Sequence, residues 1–91
     1  MAHGTDATGA DTYVEVIAAP TTNIRYKFVS ATCDTNDAII SLDGGASEFA
    51  RIVAGEGAMV FDVEHCGISL AIQGKNATAG SNYANLVVNA W

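Results

Sequence analysis

Ninety-one residues, 49% hydrophobic and only 15% charged, make one small domain. A chain this short buries little more than ~60% of its unfolded surface, and a small soluble surface ordinarily carries about a quarter or more charged residues, so some uncharged surface is expected to meet a partner. A net charge of -6 from ten acidic and four basic residues argues against nucleic acid, whose affinity rests on clustered Lys and Arg, and no run approaches the roughly 18 apolar residues of a membrane span.

Residues 1–11 are small, polar and glycine-containing, a composition that does not order itself alone. They are expected to form a flexible arm ahead of a single domain at 12–91. The arm has no basic stretch followed by an apolar one, so it is not a secretory signal, and synthesis in a cytoplasm is expected. His3 belongs to this arm and is expected to be inert.

From Thr12 the apolar residues recur with period two. TYVEVIAA at 12–19 is followed by Pro20 and a TTN turn. NIRYKFVSA at 23–31 alternates, placing Ile24, Tyr26 and Phe28 on one face and Arg25 and Lys27 on the other, as a half-buried strand does. AIISLD at 38–43 ends on Gly44-Gly45, which tolerates positive φ. EFARIVAG at 48–55 ends at a GEG turn; its two helical turns are opposed by β-branched residues.

AMVFDVEHC at 58–66 sets Met59, Phe61 and Val63 against Val60, Asp62 and Glu64. ISLAIQG at 68–74 points Ile68, Leu70 and Ile72 inward, with Ser69, Ala71 and Gln73 outward. NYANLVVNAW at 82–91 sets Leu86, Val88 and Ala90 against Val87, Asn89 and Trp91. Seven short strands with turn signals between them predict an all-β antiparallel sandwich or barrel of about seven or eight strands. Exposed edges recruit further strands unless blunted, and with few lysines to blunt them the terminal strand is expected to be paired or covered.

The side chains able to do chemistry are few. Cys33 and Cys66 each end a strand and are candidates for a disulfide, although free thiols are favoured without a secretory signal. His65 neighbours Cys66, but adjacent strand residues point to opposite faces, which leaves the thiol without the base that a nucleophilic cysteine needs. Asp62 and Glu64, about 7 Å apart along a strand, read as a solvated face more readily than as a hydrolytic pair. Asp34, Asn36, Asp37 and Asp43 could offer oxygen ligands to calcium, but the stretch lacks the glycine and distal glutamate of the known calcium loop; an Asx turn accounts for DTND. Asn76-Ala77-Thr78 matches the glycosylation sequon, an accidental match in the absence of export. No Gly-rich phosphate loop precedes a helix. The chain is therefore expected to be no enzyme and to need no cofactor or metal.

A strand ending SLDGG, a strand beginning RIVAGEG, a strand ending GKN, the turn ATAGSNY and a closing ANLVVNAW together resemble the small β-sandwich virion proteins of tailed bacteriophages. These include the jelly-roll decoration, or cement, proteins of the capsid. The resemblance covers 28–91 and lies in turns and strand ends. It implies a structural protein, made in the host cytoplasm and carried on the virion, which binds the outer surface of the major capsid protein shell and holds capsomers together. It also implies a homo-oligomer, a trimer at quasi-threefold points, with the arm available for docking and the acidic surface displayed away from DNA.

Two other classes fit a sandwich. A carbohydrate-binding module would need coplanar exposed aromatics, for which Tyr13, Tyr83 and Trp91 are available, and a phage fibre or receptor-binding domain would expect a long shaft. Within the decoration reading, the contact is expected at the terminal strand, through Tyr83, Leu86, Val87, Asn89 and Trp91, because large aromatics carry much of the energy of such contacts.

Overall fold

The computed structural model describes residues 2–6, 11–21, 25–78 and 83–91. Among them lie β1 (Ala2–Asp6), β2 (Val14–Ile17), β3 (Phe28–Thr32), β4 (Ala38–Ser41), β5 (Ala50–Ile52), β6 (Met59–Asp62), a 3-10 turn (Glu64–Cys66), β7 (Ile72–Asn76) and β8 (Leu86–Ala90). The strands form two four-stranded antiparallel sheets, ordered β1-β8-β3-β6 and β2-β7-β4-β5. Four of the pairings, β1 with β8, β2 with β7, β3 with β6 and β4 with β5, are those of one long hairpin whose tip is the β4–β5 turn. The other two, β3 with β8 and β4 with β7, roll that hairpin into two sheets. This is the jelly-roll order, and the all-β sandwich expected from the sequence is the fold observed.

Alternation sets which side chains fill the space between the sheets. Val29 and Ala31 of β3, Ile40 of β4, Ile52 of β5, Ile72 of β7 and Leu86, Val88 and Ala90 of β8 are buried in one cluster. Gly74 sits among them because a larger residue does not fit: a β-carbon there would lie 2.4 Å from the Leu86 side chain. The opposed faces read for 58–63 and 86–91 are observed, with Val63 and Leu86 fully buried and Val60 and Trp91 exposed.

Three expectations are corrected. Residues 2–6 are not arm but an edge strand, in register from Ala2↔Ala90 to Asp6↔Leu86. Ladder hydrogen bonds need only backbone groups, so a polar, glycine-containing segment can still pair with β8. Residues 7–10 lie outside the described residues. The terminal strand is paired, as expected, with β1 on one side and β3 on the other.

The second correction concerns 23–31, where the strand begins only at Phe28. Lys27 N and Phe28 N both donate to the Trp91 carbonyl, at 2.7 and 2.9 Å. Two residues thus oppose one, which is the arrangement of a β-bulge. The extra residue reverses the alternation: Tyr26 is buried, Lys27 and Phe28 are both exposed, and Val29 is buried. Phe28 therefore faces outward, while Ile24 lies outside the described residues. Last, the strand of 58–66 stops at Asp62 and that of 68–74 starts at Ile72. The 3-10 turn ends at Gly67, at φ 62°, and the chain beyond it leaves Leu70 half-exposed.

Candidate docking surface

The register of the first sheet assembles rows on its outer face. Thr5, Val87 and Thr32 form one, and His3, Asn89, Ser30 and Val60 the next. Trp91 and Phe28 exchange backbone hydrogen bonds in both directions, with Asp62 beside Phe28. The Phe28 and Trp91 rings lie 5.8 Å apart, tilted by 32°, and they remain 38% and 41% exposed, next to Val60 at 59%. His3 Nδ1 and Asn89 Oδ1 are 2.8 Å apart, so His3 ties β1 to β8 across this face.

Of the contact residues expected at the terminal strand, the structure brings Val87, Asn89 and Trp91 to this face. Leu86 points the other way, into the core, and no partner can reach it. Tyr83 is exposed but precedes β8, so it lies at the opposite end of that strand from Trp91. Phe28 was missed because the Tyr26–Phe28 alternation concealed the bulge. Its signal was faint: Val29 and Ala31 offer a second apolar face in the same run.

The outer face of the second sheet is covered in part by the chain itself, while Glu15 and Arg51 stay exposed on it. Ile39 and Ser41 point outward there, yet both are buried. The loop after β4 folds back over Ser41, with Gly44 and Gly45 at φ 74° and 89°. Ser41 Oγ donates to Asp43 Oδ1 at 2.6 Å and accepts from Gly45 N at 3.1 Å, while Ser47 N donates to Asp43 Oδ1 at 3.0 Å and Ser47 Oγ to Asp43 Oδ2. These hydrogen bonds, Ser41 first, favour the ionised carboxylate and hold Asp43 down at about 2. Nearby, Lys75 Nζ sits 4.5 Å above the Tyr13 ring, so that ring already has an occupant.

The remaining candidates are separated. Asp37 accepts from Ala54 N at 2.9 Å and from Arg51 Nε and Nη2 at 3.2 and 3.1 Å; the Ala54 amide and then Arg51 lower its pKa. Asp34 accepts from Thr35 Oγ1 and from Asn85 Nδ2, side chains of two residues at positive φ. Each carboxylate thus has its own local partners, and among the described residues no three His, Cys, Asp or Glu side chains converge on a metal position.

Cys33 and Cys66 are both free thiols, so the disulfide is not formed. Cys33 lies in the core and donates to Ile52 O at 3.3 Å, and burial raises its pKa. Cys66 is exposed at the end of the 3-10 turn, beside a shallow pocket of about 190 Å³ lined by Leu42, Asp43, Ser47, Glu48 and Phe49. Asp62 Oδ1 accepts from Glu64 N, and Glu64 sits in that turn, so the two carboxylates do not share a strand face. Asn76 is 1% exposed and accepts from Ala84 N, which rules out glycosylation of the folded chain.

No family model, no curated protein and no solved structure matches the chain.

Proposed function

We propose that this jelly roll is a structural virion protein of a tailed phage, a decoration protein that docks on the outside of the capsid shell and holds capsomers together without catalysing a reaction. The observation that carries the reading is the asymmetry of its two outer faces. One buries its central Ile39 and Ser41 and exposes charged Glu15 and Arg51; the other displays Trp91, Phe28 and Val60 on or beside its strands. Exposed aromatics beside apolar residues, here at one end of the sheet, are what protein contacts use. The virion assignment itself rests on the resemblance of the turns and strand ends, together with a fold that capsid proteins share with lectins and cupins.

A glycan-binding platform is less well supported. Phe28 and Trp91 tilt toward each other, Tyr13 is covered by Lys75, and Tyr83 is at the far end of β8. The test is co-sedimentation of the purified chain with assembled shells of the major capsid protein encoded alongside it. Saturable binding to the shell is expected. A chain that ignores shells but binds a glycan array would replace this reading with the carbohydrate one.

A further inference from the structure

Among the described strands, β1 and β6 end one sheet and β2 and β5 end the other. Natural sheets guard such edges with short strands, charges, bulges or covering chain. β2 has an irregular register between Glu15 and Ile17. β5 is three residues long and carries Arg51, ion-paired to Asp37 at 3.1 Å. β1 lies against β2, so closely that a β-carbon on Gly4 would come 1.7 Å from the Val16 carbonyl oxygen. By contrast, β6, four residues with the sequence MVFD, has no lysine, no proline and no break in its register with β3, and its one charge, Asp62, stands at its end.

This bare edge has a defined chemistry. Val63 N donates to Lys27 O at 2.8 Å, and the alternation of an antiparallel ladder then turns Met59 and Phe61 toward β3. The N–H and C=O groups of Val60 and Asp62 therefore point away from the sheet. On the inner side Met59 and Phe61 are only half-buried. Phe49, 37% exposed, packs edge-on against Phe61 at 5.3 Å.

We propose that β6 pairs antiparallel with β6 of a second copy, across a two-fold axis at Val60. A two-fold contact must be self-complementary, and the sequence satisfies this in one register. Centred on Val60, the pairing sets Asp62 opposite Ala58 of the mate and Met59 opposite Phe61, covering the half-buried apolar pair from both sides. It also keeps the two Asp62 carboxylates roughly 13 Å apart along the strands. Centring on Asp62 would place them directly opposite, and centring on Phe61 within about 7 Å, both of which like charge disfavours. The two sheets then run on as one eight-stranded sheet whose outer face carries two Trp91–Phe28 patches. A contact of one strand and a few side chains is small for a stable interface, so the dimer dissociates on dilution. The pairing stands apart from the virion reading, and it gives an even oligomer where the resemblance implied a trimer.

The test is light scattering of the full chain over a wide concentration range, with V60K as the comparison. A mass that rises toward twice 9.4 kDa in the wild type, and remains monomeric for V60K with unchanged circular dichroism, is the expected result. A constant monomer, a trimer, or a mass that V60K leaves unchanged overturns the proposal. Should V60K fail to fold, V60C in a C66S background takes its place. Hydrogen-bonded cross-strand Cα atoms lie about 5.5 Å apart, within disulfide reach, so mild oxidation yields a linked dimer that V53C does not. Equal cross-linking of V60C and V53C, or none of V60C, counts against the pairing.

Discussion

The outer faces of the two sheets carry comparable strands and meet opposite fates. On the β2-β7-β4-β5 face the outward residues Ile39 and Ser41 are as inaccessible as the core, and Asp43 and Ser41 pin the 42–47 loop over Ser41. On the β1-β8-β3-β6 face, Phe28, Val60 and Trp91 stay open. In this small domain with 15% charged residues, a loop folds over part of the first face, while the second exposes its apolar side chains. Burial alone therefore does not distinguish inward from outward residues here, whereas register does.

The comparison breaks first at Leu86. Leu86→Ala removes a fully buried side chain next to Gly74, and such truncations cost about 2–5 kcal/mol, a large share of a marginal total. Chemical denaturation should register the loss. A variant of full stability with lost docking would mean that Leu86 faces outward after all.

The next largest effect is expected on the sealed face. Ser41→Ala leaves the Gly45 amide without its acceptor in a buried setting, at about 1–3 kcal/mol. Amide exchange of Gly45 and Ser47 should accelerate, while that of Ser30 and Asn89 stays unchanged. Acid probes the same loop. The folded-state pKa of Asp43 is depressed from 3.8 to about 2, so its contribution is fully present above the unfolded value and is lost as pH falls toward 2. Exchange at Ser47 should therefore rise through that window, and a loop unresponsive to pH there would contradict the Asp43 anchor.

The open face should tolerate change. Trp91→Ala loses one aromatic pair, worth about 0.5–1.5 kcal/mol, and should shift melting little while weakening shell binding. Smallest of all, Cys66→Ser should stay within about 0.5 kcal/mol of wild type. A thiol reagent should modify Cys66 in the folded chain and reach Cys33 only on unfolding. Two thiols labelled at equal rates would place Cys33 outside the core.

Much of the architecture was legible in period-two runs. The alternation at 58–63 and 86–90 gave the correct faces because each run is regular throughout. The bulge at Lys27–Phe28 was not legible, since it depends on both amides meeting one carbonyl from a strand more than sixty residues away. Nor was β1, because HGTD pairs through its backbone and carries no apolar pattern. The candidate surface was half visible: Val87, Asn89 and Trp91 follow from the parity of β8, the same parity puts Leu86 in the core and not at the contact, and Phe28 needed the bulge. The loop over Ser41 left only the Asp-Gly-Gly turn as its trace.

The central claim is that the open face docks and the sealed face does not. Its most direct measurement is co-sedimentation of wild type, Trp91→Ala and Ser41→Ala with capsid shells, each chain's melting being recorded alongside. Loss of binding by Trp91→Ala at near-wild-type melting, with binding kept by the less stable Ser41→Ala, is the outcome expected. Binding lost with Ser41→Ala and retained by Trp91→Ala would place the contact on the other sheet.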